Sequence, residues 1–123
     1  MEILINDHQS IQEIQGKFSK VFPFLKLEFF TDPIKKEEHV AQKLLLSGDS
    51  VLAKYRSKHS ITENIVISEK QKVSELKQLF QKIYGLAIQV FRKIGDVWLE
   101  TTSTNDWTFE KQNNEAFKMS LIS

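Results

Sequence analysis

Cysteine is absent from this chain, so no disulfide, thiolate nucleophile or cysteine-ligated zinc can enter its chemistry. Glycine and proline are scarce, at four and two residues, and the four glycines are isolated, so no glycine-rich phosphate loop exists. A long apolar run is also missing: no stretch approaches the ~20 residues a membrane-crossing helix needs. The opening Met1-Glu2-Ile3-Leu4-Ile5-Asn6-Asp7 lacks the basic and extended apolar regions of a signal peptide. Cytoplasmic is therefore the expected location, with no membrane partner. Nor is there a surplus of charge. The 17 basic and 16 acidic side chains leave +1, with no global attraction to nucleic acid or anionic lipid.

What remains is an ordinary globular composition. The 123 residues, 41% hydrophobic and 27% charged, suit one domain spanning residues 1–123 with a single core. Charge is uneven along it. Residues 1–32 hold three lysines against five acids, and residues 33–61 hold six basic against three acidic side chains.

The two ends of the chain read alike. At an offset of 62, Ile3 and Ile5 meet Ile65 and Ile67, while Gln9, Glu13, Phe18 and Lys20 meet Gln71, Glu75, Phe80 and Lys82. Dropping one residue near Pro23 aligns Leu25, Leu27 and Phe30 with Leu86, Ile88 and Phe91. Matches at polar positions exceed what a shared hydrophobic pattern readily supplies, so the sequence predicts an internal duplication, with convergence on one hydrophobic pattern as the alternative.

Each copy predicts strand, helix, strand. Residues 2–6 and 64–68 are short β-branched runs bounded by polar residues. Ile11, Ile14, Phe18, Val21 and Phe22 then draw an apolar stripe at helical spacing, as do Val73, Leu76, Phe80, Ile83 and Tyr84. Ser10 and Glu13 form a capping box; Lys72 stands where Ser10 stood, so the second helix keeps only Glu75. Pro23 and Gly85 end the helices, and residues 25–31 and 86–92 alternate as second strands.

The fold class expected is α+β: duplicated β-α-β units, about 2–31 and 64–92, forming a ferredoxin-like sheet. A ubiquitin-like or irregular roll is the alternative. The insertion 33–61 belongs to neither copy on this reading. Lys36–Leu46 reads as helix or Val40–Leu46 as strand, and Asp49 or Ser50 as the cap of a short helix through Arg56. A four-residue turn over 93–96 leads into an extra strand, Val97 to Thr102, and sets Phe91 opposite Trp98 as an aromatic pair; a polar helix over about 108–118 follows, anchored by Phe109, Ala116 and Phe117.

Tyr84-Gly85-Leu86-Ala87-Ile88-Gln89-Val90-Phe91-Arg92-Lys93, with Trp98-Leu99-Glu100-Thr101-Thr102, Asp106-Trp107-Thr108 and Phe22-Pro23-Phe24-Leu25-Lys26-Leu27-Glu28-Phe29-Phe30, resembles a family of small uncharacterised bacterial proteins. The resemblance spans most of the chain outside 33–61. It implies a stand-alone bacterial protein and carries no activity, cofactor or catalytic residue.

Catalytic signatures are lacking. His8, His39 and His59 are far apart, and Glu37-Glu38-His39 points in different directions on a helix, so no metal site is expected. Ser47-Gly48-Asp49-Ser50 lacks the lysine and spacing of a phosphate loop. Asp96, Glu100 and Asp106 lie close along the chain, but turn and cap roles suit the two aspartates. No cofactor is expected, and the chain is not read as an enzyme. Lys54, Arg56 and Lys58 surround Tyr55 as a weak phosphate-contact candidate, and Asp106 with Trp107 is a second weak candidate.

The most informative pattern is on the strands. If Ile3, Ile5, Ile65, Ile67, Leu27, Phe29, Ile88, Val90 and Leu99 face the helices, then Leu4, Val66, Phe30, Phe91 and Trp98 point the other way. A wet face should be polar there. Three readings follow. The insertion or C-terminal helix covers this face, which is the reading favoured; a homodimer forms through it; or it stacks single-stranded nucleic acid. The function expected is a non-enzymatic protein-interaction or regulatory module, with a single-stranded nucleic-acid-binding module as the alternative and an unrecognised enzyme third.

Overall fold

The computed structural model describes residues 2–31, 45–55 and 64–122. It is α+β, with strands β1 (Glu2–Ile5), β2 (Leu25–Thr31), β3 (Ile65–Ser68), β4 (Leu86–Ile94) and β5 (Val97–Glu100), and helices α1 (Ile11–Val21), α2 (Val73–Tyr84) and α3 (Phe109–Ile122). A short 3-10 turn at Leu52–Tyr55 stands where a capped helix through Arg56 was expected, and another covers Thr102–Thr104. Arg56 and most of Lys36–Leu46 lie outside the described residues.

The strands form two antiparallel sheets in place of the single ferredoxin-like sheet expected: β1 with β3, and β2-β4-β5. The reason is pairing capacity. In a ferredoxin-like order the second strands of the two units are opposite edges and never touch. Here β2 and β4 pair along the whole of Leu25–Thr31, so neither is left to flank β1 or β3. On the far edge of β2, the Gln15 side chain donates through Nε2 to the Leu27 carbonyl at 2.8 Å, and Leu45 bridges Phe30.

Both ladders are centred on residues that the sequence offset equates. Leu4 faces Val66 in the first, with Ile3 opposite Ile67 and Ile5 opposite Ile65. Glu28 faces Gln89 in the second. A pseudo-two-fold axis therefore passes through both. Side chains obey it too: Gln15 donates to Glu28 at 2.8 Å, and Lys77, the equivalent of Gln15, donates to Gln89 at 3.3 Å.

The axis extends into the segment assigned to neither copy. The amides of Ile11 and Gln12, which open α1, donate to the carbonyls of Ser50 and Gly48; those of Val73 and Ser74, which open α2, donate to Trp107 and Asn105. Leu52 and Ala53 donate back to Gln9 and Asp7, as Phe109 and Glu110 do to Gln71 and Glu69. The Leu46 amide reaches Phe29 and the Thr101 amide reaches Val90, which is Phe29's equivalent. Residues 46–53 thus take the part in the first half that residues 101–110 take in the second.

The core is one cluster between the helices and the inner faces of the strands. Phe18 and Phe80 are both fully buried. Phe18 packs on Phe22 and Phe109, with centroids 5.2 and 5.5 Å away, and Phe80 on Phe29 and Tyr84, at 5.2 and 5.7 Å. Ile3, Ile5, Ile65, Ile67, Leu27, Phe29, Ile88 and Val90 are buried as expected; Leu99 is not. Helix α3 uses Phe109, Gln112 and Ala116 to meet this core, while Phe117 stays exposed against Phe24.

The capping contrast is present in atoms. Ser10 Oγ accepts from the Glu13 amide at 3.1 Å and the Glu13 carboxylate from the Ser10 amide at 3.0 Å. At α2, Glu75 accepts from the Lys72 amide at 2.8 Å, but a lysine ammonium has no acceptor to return. Gly85 ends α2 at φ 63°, where its amide reaches Gln81 and Phe80.

Phe18→Ala and Phe80→Ala should each cost about 3–5 kcal/mol in urea unfolding; a near-neutral result at either position would remove it from the core. Ser10→Ala should destabilise by about 1 kcal/mol and Lys72→Ser should stabilise. Hydrogen bonds from Ser10 hold the Glu13 carboxyl below its usual range. A depressed carboxylate contributes above its unfolded pKa and loses that contribution as pH falls through the folded one. Glu13→Gln should accordingly melt below the wild type at neutral pH, with a difference that shrinks in acid.

Candidate functional site

Alternation sends Lys26, Glu28 and Phe30 of β2, Ala87, Gln89, Phe91 and Lys93 of β4, and Trp98 and Glu100 of β5 to the face away from the buried strand residues. Phe30 and Phe91 are half-buried there, and Trp98 is 36% exposed. Leu4 and Val66 are exposed on the outer side of the β1–β3 pair, a different sheet. The five residues expected on one platform are thus divided three and two, because their strands pair in two sheets.

The hairpin register differs from expectation. A four-residue turn would set Phe91 opposite Trp98, whereas Ile94 pairs with Val97 around Gly95-Asp96, so Lys93 faces Trp98 and Phe91 faces Glu100. Gly95, at φ 62°, permits this two-residue turn. Phe91 and Trp98 become diagonal neighbours joined by a cation: Lys26 Nζ lies 5.4 Å from the Phe91 ring and 5.2 Å from the Trp98 ring, with Lys93 Nζ 6.0 Å from Trp98. Such contacts hold an exposed indole in place. Lys26 also pairs with Glu28 at 3.6 Å. Beside them, Gln15, Ser19, Pro23, Lys26, Glu28 and Trp98 line a shallow groove of about 350 Å³.

Of the expected cover, residues 33–44 and 56–61 of the insertion lie outside the described residues. Phe109 of α3 stacks on Phe18 and Phe22, on the core side of the molecule, and the described residues 46–53 bond to the start of α1. On the inner side of β5, Val97 is 55% and Leu99 44% exposed; among the described residues no helix extends that far along the hairpin.

The weaker candidates do not gather into one site. Exposed Lys54 lies 5.7 Å over Tyr55, and Arg56 and Lys58 lie outside the described residues. Asp106 is exposed. Trp107 is wedged between Arg92 and Lys111, at 5.4 and 4.5 Å, and its carbonyl caps α2, which makes it part of the frame. His39 and His59 lie outside the described residues, and His8 is exposed. Among the described residues no group of His, Asp and Glu is placed to hold a metal ion, and no helix is long and apolar enough to cross a membrane.

Sequence reasoning missed Lys26 and Lys93 as members of the face. Their signal was the alternation that selected Phe91, but their closeness to Trp98 depends on a register that only the turn decides. Comparison with family models, with curated proteins and with solved structures finds no match to this chain, and so gives the family resemblance no support.

In a Trp107→Phe background, Trp98 emission should be red-shifted and readily quenched by acrylamide. Blue-shifted, protected emission would mean the face is covered.

Proposed function

We propose that this chain is a non-enzymatic protein-interaction module that arose by duplication, with the hairpin face around Trp98 as its contact surface. The observation that carries the reading is Trp98 itself: a large aromatic, partly exposed, positioned by two lysine side chains beside an open groove. Interface anchors have this character, since an indole supplies much contact area with few rotatable bonds. The centring of both ladders on equivalent residues, Leu4–Val66 and Glu28–Gln89, supports the duplication.

Single-stranded nucleic acid is the second reading, favoured by the interleaving of Phe91 and Trp98 with lysines. Glu28 and Glu100 share that face, and Lys26 is already engaged by Glu28, so phosphates would meet little uncompensated charge.

Immobilised wild-type protein should retain specific proteins from a lysate of cells that express it. Phe117→Ala should keep them, and Trp98→Ala should lose them while its circular dichroism is unchanged. Equal retention by Trp98→Ala would sink the reading. Binding of single-stranded RNA that weakens steeply with salt would move the assignment to nucleic acid.

A further inference from the structure

We infer that β5 is a docking edge for a second copy of this chain, the two β5 strands pairing antiparallel across a two-fold axis at Leu99 to join both three-stranded sheets. The inference rests on the reading of the hairpin as a contact surface and names its partner.

Strand β5 is open in three directions. Val97, Trp98, Leu99 and Glu100 are all exposed, so both of its faces are uncovered. Among the described residues β4 alone pairs with it. Proteins blunt such edges with charged side chains, lysine above all, with proline, a bulge or a covering loop; in β5 Glu100 is the one charge and the other three residues are apolar. Strand geometry says which groups the edge presents. The Thr101 amide bonds the Val90 carbonyl at 3.2 Å, so the amides of Val97, Leu99 and Thr101 turn toward β4, and those of Trp98 and Glu100 point away from it.

A two-fold that keeps outer residues on the outer face allows few registers. Setting Trp98 opposite its own copy brings Asp96 against the second copy's Glu100, a like-charge pair. Moving the axis to Leu99 sets Trp98 opposite the second copy's Glu100, and those two residues exchange main-chain hydrogen bonds through the outward amides. The two Leu99 side chains then meet on the inner face, flanked by Val97. On the outer face each Glu100 arrives beside an indole already overlaid by Lys26 and Lys93, at 5.2 and 6.0 Å. Main-chain pairing, apolar contact and charge agree in this one register.

Sedimentation equilibrium of the full chain tests it. The wild type should show a concentration-dependent dimer. Leu99→Lys, which places two ammonium groups on the axis at an exposed site, should give a monomer with unchanged circular dichroism. Glu100→Lys and Lys93→Glu should each be monomeric alone, by repulsion across the junction, and should dimerise when mixed in equal amounts. A wild type that stays monomeric at every concentration overturns the inference. So does a dimer that survives Leu99→Lys, or charge variants whose mixing restores nothing. In any of these cases Trp98-dependent retention of other proteins would still support the broader reading, so the two fail separately.

Discussion

Neither half of this molecule can satisfy its own backbone. Each contributes one strand to each ladder, β1 and β2 from the first half, β3 and β4 from the second, and every described strand pair in the β1–β3 sheet and in the β2–β4 ladder joins the two halves. An unpaired buried amide or carbonyl is costly, so the mutual pairing is the condition on which the rest depends. With the ladders in place, the inner positions of all four strands face the same volume, and α1 and α2 fill it with Phe18 and Phe80.

Much of this was legible in the residues. The 3.6-residue stripes located α1 and α2, alternation separated the buried from the outward strand positions, and Ser10 with Glu13 marked one helix start. The sheet order was not legible. Period-two alternation says which face a residue takes but not which strand lies beside it, and the β-α-β pattern suits both a single sheet and the two sheets present. The placement of residues 46–53 was also hidden. Their likeness to 101–110 resides in main-chain hydrogen bonds that Ser47-Gly48-Asp49-Ser50 and Thr104-Asn105-Asp106-Trp107 make with unrelated side chains.

The candidate site was read in part. Trp98 and Phe91 share a face as alternation requires, but one step of register at Gly95-Asp96 exchanged an aromatic pair for a lysine-bridged diagonal. Such a difference is small in the backbone and large in chemistry. In place of two aromatic rings facing each other, an indole lies under two ammonium groups beside the groove.

The way the two helices begin has a consequence for how such a chain can change over time. The first two amides of each are satisfied by carbonyl oxygens of a neighbouring turn, and a carbonyl is common to every residue type. The turns can therefore drift in sequence without loosening the helices they hold. One turn is built of small polar residues, Ser47-Gly48-Asp49-Ser50, while the other includes Asn105 and Trp107. Main-chain support of this sort lets two turns brace their helices alike while presenting different surface chemistry.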